Sequence, residues 1–195
     1  MSQSDDQQKW NSRYAAAALQ EPPQAAYVLR DFQHLLPAQG TALDLACGTG
    51  GNALLLAEQG LLTHAWDISN IAIEQLNGLA LRRGLAVHTR ICDVLQHPPE
   101  PNQYDVIVVS RFLERLLVPA IVDALKPSGL VFYQTFIEGK AADIGPGNPT
   151  YLLAENELLR LFSGLRILAY REEGNVGDLR RGFRNEALLV AQKRR

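Results

Sequence analysis

Residues Asp44 to Asn52 read Asp-Leu-Ala-Cys-Gly-Thr-Gly-Gly-Asn, directly after the apolar run Thr41-Ala42-Leu43 and directly before Ala53-Leu54-Leu55-Leu56-Ala57. This stretch is a strand feeding a glycine turn that opens a helix. Gly48 and Gly50 carry no side chain, so a ligand can lie against the main chain there, and the free amides of a helix start attract negative groups. A chain with such a unit alternates strands with helices, and the turn is suited to a nucleotide-like cofactor.

The rest of the sequence keeps that rhythm. Strand-like runs at 42–46, 62–67, 85–91, 104–109 and 129–136 alternate with helix-like runs, the pattern of βαβ units around a parallel sheet. Helices are expected over 51–59, stopped by Gly60, and from Ser69 or Asn70 to Arg83, stopped by Gly84. A further helix starts near Pro119 and ends near Lys126-Pro127. Tyr104-Asp105-Val106-Ile107-Val108-Val109 is almost continuously apolar, as a strand buried on both faces requires, and Asp105 at its start reads as structural.

Beyond Glu138 the rhythm changes: a glycine- and proline-rich loop over 139–149, a helix over 154–162, then strands at 165–171 and 187–192 with no helix between them. Two strands joined without a crossover are antiparallel neighbours. The expected fold is therefore α/β, with seven strands, five parallel and then a C-terminal antiparallel hairpin, and helices on both faces. Ahead of the sheet, 5–18 and 24–36 read as two helices broken at Pro22-Pro23, the second with an apolar face of Tyr27, Val28, Phe32, Leu35 and Leu36. One domain is expected over 1–195, with a helical lid over 1–37 and the core over 41–195.

Length and charge narrow the function. At 195 residues, 47% apolar and 21% charged, the chain has room for one substantial core. A net charge of −2 argues against a general grip on nucleic acid or a membrane surface. The only cysteines, Cys47 and Cys92, form no disulfide framework, the first residues are polar, and no run approaches a membrane span, so a cytoplasmic protein is expected. His34, His64, His88 and His97 have no metal-ligand spacing, and no metal is assigned.

The glycine turn alone is ambiguous, because Gly48-x-Gly50-x-x-Ala53 also fits a relaxed dinucleotide fingerprint, with Asp67 nineteen residues past Gly48 where a ribose-binding acid belongs. Asp44 separates the readings. A carboxylate ending an apolar central strand is costly to bury without a partner, and it repels a pyrophosphate. An ammonium or sulfonium group suits it.

These residues resemble the class I S-adenosylmethionine-dependent methyltransferases, whose Asp-x-x-x-Gly-x-Gly motif is matched by Asp44, Gly48 and Gly50. The resemblance covers about residues 10–193 and implies a Rossmann-like sheet with S-adenosylmethionine as cofactor. It places Asp44, Ala46, Cys47, Gly48, Gly50 and Asn52 at the cofactor. Trp66-Asp67-Ile68-Ser69 resembles the second motif, with Asp67 on the ribose hydroxyls beside Ile68, and Cys92-Asp93-Val94 the third, around the adenine. Ser110 and Arg111 emerge beside the methyl donor. Leu125-Lys126-Pro127-Ser128-Gly129 resembles the usual Lys-Pro-Gly-Gly turn, from which Ser128 departs.

Within that superfamily, Trp10-x-x-Arg13-Tyr14 looks most like the tellurite-resistance and thiopurine methyltransferase-like branch, in which the N-terminal segment closes over the cofactor. The match implies that Arg13 pairs the cofactor carboxylate, a plain surface arginine being the competing reading. Trp10, Tyr14, Arg111, Gln134, Tyr151 and Arg180 are the candidates to face the acceptor, and Arg180, Arg181 and Arg184 between the last two strands suggest either an anionic acceptor or a solvated hairpin. A small-molecule acceptor is expected, such as a thiol or metalloid oxyanion, with no nucleic acid or membrane partner and a monomeric or dimeric state. No residue is named as a general base. A cofactor-binding sensor without transferase activity and an NAD(P)-dependent oxidoreductase are the alternatives.

Overall fold

The computed structural model describes residues 3–16 and 23–195. Seven strands form one sheet: β1 (Thr41–Leu45), β2 (Leu62–Asp67), β3 (Val87–Ile91), β4 (Tyr104–Ser110), β5 (Leu125–Phe136), β6 (Arg166–Arg171) and β7 (Glu186–Gln192). Their order is β3-β2-β1-β4-β5-β7-β6. The first five strands are parallel, and β7 runs antiparallel to both β5 and β6. The expected seven-stranded architecture is the observed one.

Among the described residues there are six α-helices: α1 (Gln3–Ala16), α2 (Tyr27–Asp31), α3 (Gly51–Glu58), α4 (Asn70–Arg83), α5 (Val118–Ala124) and α6 (Glu157–Leu161). Period-two alternation sends each strand's side chains to opposite faces. On one face Ala42, Val106, Val108, Phe132, Leu188 and Val190 pack with Val28 and Leu29 of α2 and Leu56 of α3. On the other, Leu43, Ile107, Val109, Val131 and Leu189 pack with Ile121 of α5 and Leu158 of α6. Both faces are covered, which is why the central strands read as unbroken apolar runs. Helix α4 keeps its expected ends: Ser69 Oγ accepts from the Ala72 N–H at 3.2 Å, and Gly84 closes it at φ 66°.

Three segments differ from expectation. Residues 24–36 are not one helix: 23–26 run without regular structure, α2 covers only Tyr27–Asp31, and a 3-10 turn follows at Gln33–Leu35. The Ala26 N–H donates to Asn52 Oδ1 at 2.8 Å, which holds this strap against the start of α3. Helix α6 starts at Glu157 rather than near Ala154, because Asn156 sits at φ 56° and Glu157 Oε2 accepts from the Ala154 N–H. Strand β5 starts at Leu125, four residues early, and Ser128 takes the left-handed φ of 66° that the usual glycine would occupy. The expected continuation of the first helix to Ala18 and its break at Pro22 lie outside the described residues.

Candidate functional site

The alternation that builds the core also builds a polar row. On the sheet face covered by α2 and α3, each apolar set ends on a polar residue: Ala42 leads to Asp44, Val108 to Ser110, Phe132 to Gln134 and Leu188 to Glu186. Because β7 is antiparallel, its first residue lies at the same sheet edge as the carboxyl ends of β1, β4 and β5. Ligands of open α/β sheets bind at that edge.

Hydrogen bonds join the row. Asp44 is fully buried, with Oδ1 accepting from Asn52 Nδ2 at 3.2 Å and Oδ2 from the Ala53 N–H at 3.0 Å. Burial pushes its carboxyl up to about 7, against the pull of those two donors. Asn52 Nδ2 also donates to Ser110 Oγ at 3.0 Å, while its Oδ1 receives the strap. Further along, Gln134 Oε1 accepts from the Val28 N–H at 2.8 Å and its Nε2 donates to Glu186, whose other oxygen accepts from Arg111 Nε at 2.8 Å.

The second acid shapes the glycine turn. Asp67 Oδ2 accepts from the Gly48 N–H at 2.7 Å and Oδ1 from the Ser69 N–H at 2.8 Å, and burial raises its pKa. Gly48 is at φ 54° and Gly50 at φ 82°. A Cβ on Gly48 would stand 2.8 Å from Tyr14 Oη, and one on Gly51 would stand 2.4 Å from the Gln24 carbonyl oxygen. The turn is therefore glycine-rich partly so that α1 and the strap can approach it. Helix α1 is tied across the start of α4: Gln7 Nε2 donates to the Ile68 carbonyl at 3.0 Å, Ser69 Oγ to Asn11 Oδ1 at 2.7 Å, and Gln75 Nε2 to the Tyr14 carbonyl at 3.3 Å. Burial and the nearby carboxylates raise the Tyr14 phenol.

The remaining sequence candidates distribute unevenly. Ala46 follows β1 at φ 55°, and Cys47 is buried in the turn, its N–H bonded to the Trp66 carbonyl. Cys92 and Val94 are buried beyond β3, and Asp93 Oδ1 caps the Leu95 N–H at 3.0 Å. Arg13 lies over the Trp10 ring at 5.2 Å, and Trp10 stacks on Tyr14. Asp105 accepts from Lys126 Nζ and the Thr41 N–H, a structural role as expected.

A cavity of about 620 Å³ opens at the sheet edge between the strap, Ser110, Arg111, Gln134 and residues 182–186. Arg180 does not reach it, being ion-paired with Asp178 on the surface; Arg184 lies in its wall instead. Tyr151, at the end of a short 3-10 turn, is also not among its lining residues. Glu186 and Phe183 line the cavity without having been singled out in the sequence, and Tyr27, expected only to pack on the sheet, lines it too. Glu186 carried a readable signal, an acid opening the otherwise apolar Ala187–Val190 run, the same sign that marks Asp44.

Two buried carboxylates at one glycine turn, neither ion-paired among the described residues, suit a neutral ribose and a cationic amino-acid end better than a pyrophosphate. Fold and turn together are those of the class I S-adenosylmethionine-dependent methyltransferases. The family model for tellurite resistance protein TehB matches residues 20–189, and the chain belongs to that family. S-adenosylmethionine is the cofactor that goes with it. Among solved structures, TehB from Haemophilus influenzae is similar over 96% of this chain and 67% of its own, with 23% identity and a TM-score of 0.70. Geranyl diphosphate C-methyltransferase from Streptomyces coelicolor A3(2), solved with S-adenosyl-L-homocysteine, matches 98% of this chain and 97% of its own at 16% identity and a TM-score of 0.71. A methyltransferase from Methanosarcina mazei matches 88% and 99%, at 18% identity and a TM-score of 0.66. At these identities the structural likeness bears on the fold.

Proposed function

We propose that the protein transfers a methyl group from S-adenosylmethionine to a small-molecule acceptor held in the cavity beside Ser110 and Gln134. The supporting observation is the continuous polar row, in which Asn52 hydrogen-bonds both Asp44 at the cofactor turn and Ser110 at the cavity. One side chain thus joins the two compartments that a transferase must hold in register.

When bound, the cofactor supplies a methyl already activated by its sulfonium sulfur. The protein's work is then to hold, orient and exclude water. Asp67 keeps lone pairs on both oxygens for ribose hydroxyls after accepting from Gly48 and Ser69. Ile68, Cys92, Asp93 and Val94 follow β2 and β3, on the adenine side. Asp44, Ala46, Cys47, Gly48, Gly50 and Asn52 form the methionine side, with Tyr14 of α1 against Gly48 and Arg13, one residue before it, assigned to the cofactor carboxylate. The strap, fixed through Ala26, contributes Gln24, Ala25 and Ala26 to the cavity wall. Ser110 and Arg111, at the end of β4, stand at the boundary between cofactor and acceptor.

A soft nucleophile such as a thiol or metalloid oxyanion needs only this alignment. The test is transfer of labelled methyl from S-adenosylmethionine to a panel of thiols, selenite, tellurite and small organic acids. Turnover of at least one acceptor, lost on Asn52→Leu, is expected. Cofactor binding without turnover of any acceptor would point to a sensor instead.

A further inference from the structure

We propose that the acceptor is a flat apolar organic acid whose carboxylate is held by Arg111 and whose body lies on the Tyr27–Phe183 aromatic pair, a separate nucleophilic atom of the same molecule taking the methyl from the sulfonium with S-adenosylhomocysteine as the leaving group. The inference rests on the methyltransferase reading, in which this cavity is the acceptor site.

Size comes first. A trigonal oxyanion takes the space of about three waters at about 30 Å³ each, a small part of a cavity of about 620 Å³. The cavity falls within the range of sites that enclose whole organic ligands.

Charge and geometry come next. Three arginines, Arg30, Arg111 and Arg184, line the cavity with one carboxylate, Glu186, so its walls favour an anion. They are not equivalent. Arg184 spends its nitrogens on the carbonyls of Glu173, Gly174, Asp178 and Arg181, which fold the loop before β7. Arg30 donates one terminal nitrogen to Gln24 Oε1 at 3.3 Å and, unlike Arg111, has no carboxylate holding it among the described residues. Arg111 gives only its Nε to Glu186, and among the described residues its two terminal nitrogens have no partner.

That arginine is anchored through its Nε, with its side chain 68% exposed. Glu186 is itself held by Gln134, and the guanidinium lies over the Phe136 ring at 5.7 Å. A planar fork with both terminal N–H groups free matches a carboxylate edge to edge. Glu186, 5% exposed beside it, disfavours a dianion such as phosphate.

Part of the cavity wall is aromatic. Tyr27 and Phe183 lie 5.2 Å apart at an interplanar angle of 31°. Arg171 braces both, over the Phe183 ring at 5.7 Å and donating to Tyr27 Oη at 3.3 Å. Two braced rings make a wall on which a flat apolar body stacks.

The test uses the full chain loaded with S-adenosylhomocysteine, titrated calorimetrically with phenylacetate and 4-hydroxybenzoate, their amides, selenite and inorganic phosphate. The acids are expected to bind at least about tenfold more tightly than the amides, selenite or phosphate. Arg111→Gln is expected to remove that preference and Arg111→Lys to keep part of it, with melting temperatures recording that both variants fold. Amides binding as well as acids, selenite or phosphate binding more tightly, no acid binding at all, or an Arg111→Gln loss falling on S-adenosylhomocysteine instead would each overturn the proposal alone. Failure of the wild-type chain to bind S-adenosylhomocysteine would overturn the methyltransferase reading first.

Discussion

Asp44 is the residue on which cofactor choice turns, and its burial has a consequence for stability. Its carboxyl sits at about 7, above the ordinary value of 3.8, because desolvation outweighs the Asn52 and Ala53 hydrogen bonds. A folded-state pKa above the unfolded one means that the native state binds the extra proton. The stability from that proton is fully present below about pH 4 and is lost as pH rises through about 7. Asp67, also raised by burial, adds a loss of the same sign. Urea midpoints measured from pH 4 to 8 are therefore expected to show a flatter profile in Asp44→Asn than in the wild type, and parallel profiles would contradict the assignment. Gln134 supports a second prediction. Both ends of its amide are used, so Gln134→Leu strands a buried Val28 N–H and a Glu186 oxygen. At about 1 to 3 kcal/mol for each unsatisfied group, a loss of about 2 to 6 kcal/mol is expected from chemical denaturation; a loss under about 1 kcal/mol would mean that the two groups find other partners.

At the scale of elements, α1 and the glycine turn are one assembly. Gly48→Ala adds a Cβ at a left-handed φ, costing about 1 to 2 kcal/mol, and pushes on Tyr14 Oη. The expected outcome is faster trypsin cleavage at Lys9 and Arg13, as α1 is levered from α4; an unchanged cleavage rate would separate the two elements. The alternation of strands and helices, the C-terminal hairpin, the ends of α4 and the glycine turn were legible because each has a local cause: a hydrophobic period, a cap, a glycine. The strap was not, because what keeps 23–26 out of a helix is a hydrogen bond to Asn52, twenty-six residues away. Arg180 was misplaced for the same kind of reason. Charge density in the loop before β7 is visible in sequence, but whether an arginine faces Asp178, a ring of carbonyls or a cavity depends on how that loop closes.

For the whole molecule, the polar row on one sheet face was available in principle, since Asp44, Ser110, Gln134 and Glu186 each terminate an apolar alternation. What the sequence could not supply was the strand order that brings those four ends to one edge. Among the described residues no helix is long and apolar enough to cross a membrane. Ligand binding at that edge ties together elements from α1 to β7, so cofactor at about a hundredfold its Kd is expected to add about 2.7 kcal/mol and raise Tm by about 5 to 10 °C for a chain of this size. The central claim, that the turn from Asp44 to Asn52 with Asp67 is an S-adenosylmethionine site, is tested most directly by calorimetry of the wild type and Asp67→Ala with S-adenosylmethionine and NAD. One-to-one binding of S-adenosylmethionine, weakened at least about tenfold in Asp67→Ala, and no heat with NAD are expected. Binding of NAD alone, or S-adenosylmethionine affinity indifferent to the loss of Asp67, would contradict it.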